Sequence, residues 1–257
     1  MKTALVTGSS RGIGRAVARE LAHQGWAVGI NYLHREDKAQ ELVEELTAAG
    51  CQAAVFQADV ADGAAVASMV KELGETFSPV ELVVNNAGVA GQSLFQDITD
   101  EMWNRYLAVN LGGARNTIKA VLPHMISEKR GCIVNISSIH SLMTQPGNML
   151  YAGTKGAMNS ASRAIALDYA KDHIRINTIC PGVVVSDVFY DDMDRMTPEE
   201  LTKFHDIVRR CQPLEPGRMQ DIANTALFFA SDMSTFITGQ TLLVDGGTSI
   251  KAHDMDC

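Results

Sequence analysis

Short apolar runs alternate with longer amphipathic ones along the whole chain. KTALVT (2–7), AVGINY (27–32), QAAVFQ (52–57), VELVVN (80–85), CIVNIS (132–137), IRINTI (174–179) and TLLVD (241–245) read as strands. Between them, 13–25, 35–49, 62–77, about 100–129, 149–171 and 220–231 carry apolar residues at helical spacing, with glycines such as Gly25 and Gly50 as stops. A further helix begins at Thr197-Pro198-Glu199, where Thr suits an N-cap and Pro the first turn. The strands are nearly continuous Val, Ile and Leu runs, as in strands buried on both faces. The expected fold is therefore α/β, a doubly wound parallel sheet of about seven strands with helices on both faces. No repeat, linker or composition break divides residues 1–257, which read as one domain. The charged stretch 187–213 reads as a lid, and the polar end 248–257 as a tail with no core pattern.

Composition narrows the function. The chain is 46% hydrophobic and 20% charged, with net charge −8. That balance disfavours nucleic-acid or anionic-membrane partners, and no apolar run nears the ~20 residues of a membrane span. The N-terminal apolar run is too short for a signal peptide. Five cysteines (51, 132, 180, 211, 257) form no C-x-x-C pair, which suits a reducing cytoplasm and gives no metal site. Cys132 and Cys180 are expected inside strands.

The first strand–turn–helix holds Gly8, Ser10, Arg11, Gly12, Ile13 and Gly14. Glycines there let the backbone approach a pyrophosphate at the helix N-terminus. Their spacing, G-x3-G-x-G, differs from the G-x-G-x-x-G fingerprint. The second strand ends at Asn31-Tyr32-Leu33-His34-Arg35, with no acid before Glu36 to hold a ribose 2′-OH. With Arg11 placed to meet a phosphate, NADP(H) is preferred over NAD(H).

Tyr151 and Lys155 are four apart, one turn on the same helix face. An ammonium there favours the phenolate and is expected to lower the Tyr pKa. Ser137 and Ser138 lie just upstream; strand alternation turns Ser137 away, leaving Ser138 to hold a substrate oxygen.

The chain resembles the short-chain dehydrogenase/reductase family. The resemblance rests on TGSSRGIG (7–14), Asp59-Val60, NNAG (85–88), Asn110, Ser138, YAGTK (151–155), Pro181-Gly182 and VDGG (244–247), in the family's order. It implies Tyr151 as acid/base, Lys155 as pKa modifier and ribose ligand, and Ser138 on the substrate oxygen. It also implies that Asn110 bends its helix and holds a water leading to Lys155. Asp59 and Val60 would meet adenine, Asn86, Ala87 and Gly88 the adenosine ribose, and Pro181, Gly182, Val184 and Ser186 the nicotinamide end. The family's dimers and tetramers make a homodimer or homotetramer the expected assembly.

The substrate is a small carbonyl or alcohol, for which two readings stand level. The chain is similar to 3-oxoacyl-(acyl-carrier-protein) reductases, with Lys129 and Arg130 offered to an acidic carrier, although Asp168 and Asp172 oppose this. It is also similar to sugar dehydrogenases such as glucose 1-dehydrogenases, in which case His140, Gln145 and Asn148 would bond hydroxyls. Leu142, Met143, Met149 and Leu150 keep a steroid open. A non-catalytic NADP(H)-sensing protein is the remote alternative, disfavoured because the Ser, Tyr, Lys and Asn are all present.

Overall fold

The computed structural model describes residues 2–185 and 197–251. In chain order the elements are β1 (Thr3–Val6), α1 (Gly12–His23), β2 (Ala27–Tyr32), α2 (Glu36–Ala48), β3 (Ala53–Gln57), α3 (Gly63–Thr76) and β4 (Val80–Asn85). There follow α4 (Asp100–Tyr106), a π-helical segment (Leu107–Gly112), α5 (Gly113–Glu128), β5 (Gly131–Ile136), α6 (Met149–Tyr169) and β6 (Ile174–Pro181). The last are β7 (Val184–Val185), α7 (Pro198–Cys211), β8 (Gly217–Arg218), α8 (Met219–Ala230) and β9 (Thr241–Val244).

Seven strands form one parallel sheet in the order β3-β2-β1-β4-β5-β6-β9, as the apolar runs predict. Winding starts at β1, runs outward through β2 and β3, then resumes on the other side at β4. The order therefore reverses between β1 and β4, where such sheets open a crevice at their carboxyl ends.

Strands β1, β4, β5 and β6 each feed two cores. On one face Val6, Val84 and Val134 pack with Val17 and Leu21 of α1, Leu42 of α2 and Phe229 of α8. On the other, Leu5, Val83 and Ile133 pack with Leu73 of α3, Val121 and Met125 of α5, and Ala166 of α6. Neighbouring positions face opposite ways, so β1, β4 and β5 each carry a continuous apolar run: Ala4–Val6, Leu82–Val84 and Cys132–Val134.

Two features depart from the sequence reading. The single helix expected over about 100–129 is α4 and α5 joined through the π-helical segment that carries Asn110. A two-strand sheet, β7 with β8, stands apart from the main one; it is too short to show a period. Ser186 and residues 187–196 of the charged stretch read as a lid lie outside the described residues, as does the tail from 252 onward. Among the described residues no helix is long and apolar enough to cross a membrane.

Candidate active site

The glycine turn is held from both sides. From β2, Asn31 Oδ1 accepts the Gly8 N–H at 3.1 Å, and its backbone carbonyl takes the Ser9 N–H at 2.9 Å. From beyond β4, Asn86 Nδ2 donates to the Thr7 and Gly8 carbonyls at 3.0 Å each. Thr7 Oγ1 accepts the N–H groups of Asn86 and Ala87, both at 3.0 Å. Gly14 must be glycine here, because a Cβ would stand 2.5 Å from Asn86 Nδ2 and 2.6 Å from the Gly8 carbonyl. Helix α1 then begins with no side-chain cap at Arg11. The first N–H groups of the helix are thus left for an outside acceptor, which fits a bound phosphate.

Asn31, read as a cofactor contact, is buried, and its Nδ2 donates to the Phe56 and Ala58 carbonyls at 3.3 and 3.1 Å. Its amide braces the turn. The Arg11 side chain is exposed and makes no hydrogen bond or ion pair among the described residues, whereas Arg35 is engaged with Asp37 at 3.0 Å. Ser10 is buried beside Arg11. Asp59 stands past β3 with its Oδ1 on the Ala61 N–H at 2.9 Å, and the buried Val60 offers its carbonyl to Asn116 at 2.9 Å.

At the carboxyl ends of the strands lies a cleft of about 240 Å³. It brings together Ile13 of α1, Asn86 and Gly88 after β4, Ser138 after β5, Tyr151 and Lys155 of α6, Pro181 at the end of β6, Gly182, and Val184 of β7. Val89, Ala90, Ile136 and Ser137 complete the wall. A larger cavity of about 520 Å³ sits at the amino ends of the strands, against Lys129 and Arg130. We place the chemistry in the smaller one, where hydroxyl, phenol and amine converge.

Within the cleft the Ser138 hydroxyl accepts the His140 N–H at 3.1 Å and sits beside the Tyr151 phenol. Lys155 is buried; its Nζ donates to the Ile136 carbonyl at 2.7 Å and lies 5.6 Å from the centroid of the Tyr151 ring. Ser137, expected to turn away, reaches α6 and donates to the Lys155 carbonyl at 3.1 Å. The expected drop in the Tyr151 pKa is not found. Burial raises it, and the neighbouring Ser138 hydroxyl offsets only part of that rise. Burial also pulls Lys155 down to about 8.

Asn110 is fully buried in the π-helical segment. Its Oδ1 accepts the Val89 N–H at 2.7 Å, and its Nδ2 donates to the Val89 carbonyl and to Thr154 Oγ1, both at 3.0 Å. Thr154 in turn donates to the Tyr151 carbonyl at 2.9 Å. The Asn110 side chain therefore ties the cleft wall to α6, and its hydrogen bonds go to these groups rather than to Lys155.

None of the three suggested substrate residues lines the cleft itself. His140 packs edge-on to Tyr151, with ring centroids 5.9 Å apart, and its Nδ1 meets Thr144 Oγ1 at 3.1 Å. Burial lowers its pKa. Gln145 is exposed, while Asn148 is buried with no partner for its Nδ2 among the described residues. Sequence reasoning missed Thr7, Thr154 and the Ile136 carbonyl. Thr7 and Thr154 lie inside the quoted motifs, but a backbone carbonyl leaves no signal in side-chain identity.

The family profile described as Enoyl-(Acyl carrier protein) reductase matches residues 8–249. A 3-oxoacyl-[acyl-carrier-protein] reductase of Staphylococcus epidermidis is 38% identical over 247 residues, covering 96% of this chain and 98% of that one. A gluconate 5-dehydrogenase from Burkholderia cenocepacia, solved with NADP and tartrate, superposes with TM-score 0.89 at 32% identity, covering 98% of this chain and 96% of the other. A 3-oxoacyl-[acyl-carrier protein] reductase from Brucella melitensis with bound NAD gives 0.85 at 30% identity, covering 97% and 92%. These matches span the glycine turn, the β5 serine and the α6 Tyr–Lys pair together, and the chain belongs to the short-chain dehydrogenase/reductase family of oxidoreductases.

Proposed function

We propose that this enzyme interconverts a ketone or aldehyde and its alcohol, with NADP(H) preferred over NAD(H). The observation that carries the reading is the convergence of the Ser138 hydroxyl, the Tyr151 phenol and the Lys155 amine in one cleft. The uncapped α1 N-terminus over a closely packed glycine turn would hold the pyrophosphate. When bound, the dinucleotide supplies or accepts the hydride. Ser138 and Tyr151 hold the substrate oxygen between two hydroxyls. A raised pKa keeps the Tyr151 phenol protonated at neutral pH, so it has a proton to give as charge develops on that oxygen. With a pKa of about 8, Lys155 is cationic at neutral pH and stabilises the phenolate left behind. Oxidation runs the same contacts in reverse. NADP(H) is favoured because Arg11 is unpaired among the described residues and β2 is followed by Leu33-His34 rather than an acid.

For the substrate, identity to the Staphylococcus reductase supports a 3-oxoacyl thioester. Lys129 and Arg130 lie at the opposite end of β5 from Ser138, with the six-residue strand, about 20 Å at ~3.3 Å per residue, between them. Arg130 is also paired with Glu81 at 3.2 Å, so any carrier would reach the cleft by other residues. The second reading, a hydroxy acid or sugar-like substrate, is supported by the Burkholderia structure and by the buried, unpartnered Asn148 Nδ2 near the cleft helix. Exposed Trp103, Leu107 and Leu167 on α4, the π-helical segment and α6 support a homodimer or homotetramer through these helices. A panel of acetoacetyl thioester, gluconate, glucose and cyclic ketones, run with both cofactors, tests the assignment. Turnover confined to the thioester would remove the second reading, and no turnover with intact NADPH binding would remove catalysis.

A further inference from the structure

Past Gly182 the chain leaves the main sheet. Gly182 still donates to the Val244 carbonyl at 3.0 Å, but the next three residues are held by a different segment. The Val183 N–H donates to Gln212 Oε1 at 3.2 Å, and its carbonyl accepts the Gly217 N–H at 3.0 Å. Val184 and Val185 pair with Gly217 and Arg218. The backbone hydrogen bonds that fix this wall of the cleft therefore come from residues 212–218, directly after α7.

Gln212 is the pivot of that segment. It is 2% exposed, and both ends of its amide are used: Oε1 on Val183, and Nε2 donating to the Glu215 carbonyl at 2.9 Å. Its own N–H closes the last turn of α7 on Val208 at 2.7 Å. Beneath it Gly246 has φ +59, and a Cβ there would come within 2.8 Å of Gln212 Cγ. Leu214 donates to the Gly246 carbonyl at 3.0 Å, which locks the same corner. A buried amide satisfied at both ends holds its place firmly, because losing either bond strands a polar group.

We propose that Gln212 is a positioning residue that sets the distance of the Val184 wall from Tyr151 and Lys155, and so selects for the nicotinamide half of the cofactor. The inference rests on the dinucleotide-binding reading above and deepens it. Gln212 touches neither reacting atoms nor the glycine turn. It acts through the Val183 backbone, and it makes the end of α7 and the cofactor wall one unit. Disturbing it should weaken the nicotinamide end while sparing the adenosine end, which is built from β1–β3.

The test compares NADPH with 2′,5′-ADP, a fragment lacking nicotinamide, by fluorescence and calorimetric titration of the full chain. Gln212→Leu should weaken NADPH about tenfold, the worth of one buried hydrogen bond, and leave 2′,5′-ADP within about twofold. Gln212→Glu, which keeps an oxygen for the Val183 N–H, should retain most of the NADPH affinity. Gly246→Ala, which pushes on the same side chain without altering it, should show the Leu pattern and decides the matter alone if Gln212→Leu does not fold. Equal loss of both ligands, or no loss of either, overturns the proposal while leaving the cofactor assignment intact. A wild-type chain that binds no dinucleotide would remove that assignment and this proposal together.

Discussion

The Lys155 ammonium lies 5.6 Å from the centroid of the Tyr151 ring and is hydrogen-bonded to the Ile136 carbonyl at 2.7 Å. The pair is thus arranged as a buried cation, held by a backbone carbonyl, beside a half-buried phenol. Burial acts on both in opposite directions, raising the phenol and lowering the amine, so their proton affinities move apart and the phenol holds its proton more tightly than the amine.

Tyr151→Phe keeps the ring against His140 and removes only the proton donor. Activity should fall by about 10³-fold, within the range for general acid catalysis, with NADPH affinity nearly unchanged. Ser138→Ala should lose less, because Tyr151 still contacts the oxygen. Steady-state rates with cofactor titrations check this, and a Phe variant with near-normal turnover would exclude the assignment.

Lys155 is pulled from near 10.5 down to about 8. Between those values the unfolded chain holds a proton that the folded chain has released, so this group makes stability rise with pH across that window. Below pH 8 the folded state carries the full cost, roughly 3 kcal/mol. Lys155→Met should therefore be inactive yet more stable at pH 7, with the gain shrinking toward pH 10. Urea denaturation at the two pH values measures it.

Asn31→Ala would strand the Gly8 N–H and remove the donor to the Phe56 and Ala58 carbonyls. The expected loss is about 2–3 kcal/mol of stability, together with weaker NADPH binding as the turn loosens. Chemical denaturation and ligand titration read the two effects separately.

Gly14→Ala should instead act chiefly on the cofactor. The new methyl meets Asn86 Nδ2 at 2.5 Å and the Gly8 carbonyl at 2.6 Å, so the turn must open. NADPH and NADH should weaken together, by about tenfold or more if the displaced Asn86 loses even one hydrogen bond.

Arg11→Ala separates the two cofactors. Losing a guanidinium that faces solvent should weaken NADPH several-fold and leave NADH almost unchanged, with a fold change near that of one charge-assisted hydrogen bond, about tenfold. Equal effects on both would show that Arg11 does not meet a 2′-phosphate.

The sequence by itself determined the alternation of strands and helices, the parallel sheet and the glycine turn, because burial on two faces and positive-φ positions are written in local residue type. It also set Tyr151 one turn from Lys155, a consequence of helical period alone. Only the tertiary structure decided what each polar side chain does. Asn31 became a brace because its amide meets Ala58, 27 residues away, and Gln212 became a wall anchor because Val183 comes within reach across 29. The Tyr151 pKa rises for the same reason: desolvation depends on everything folded around the ring, and no spacing along the chain encodes it.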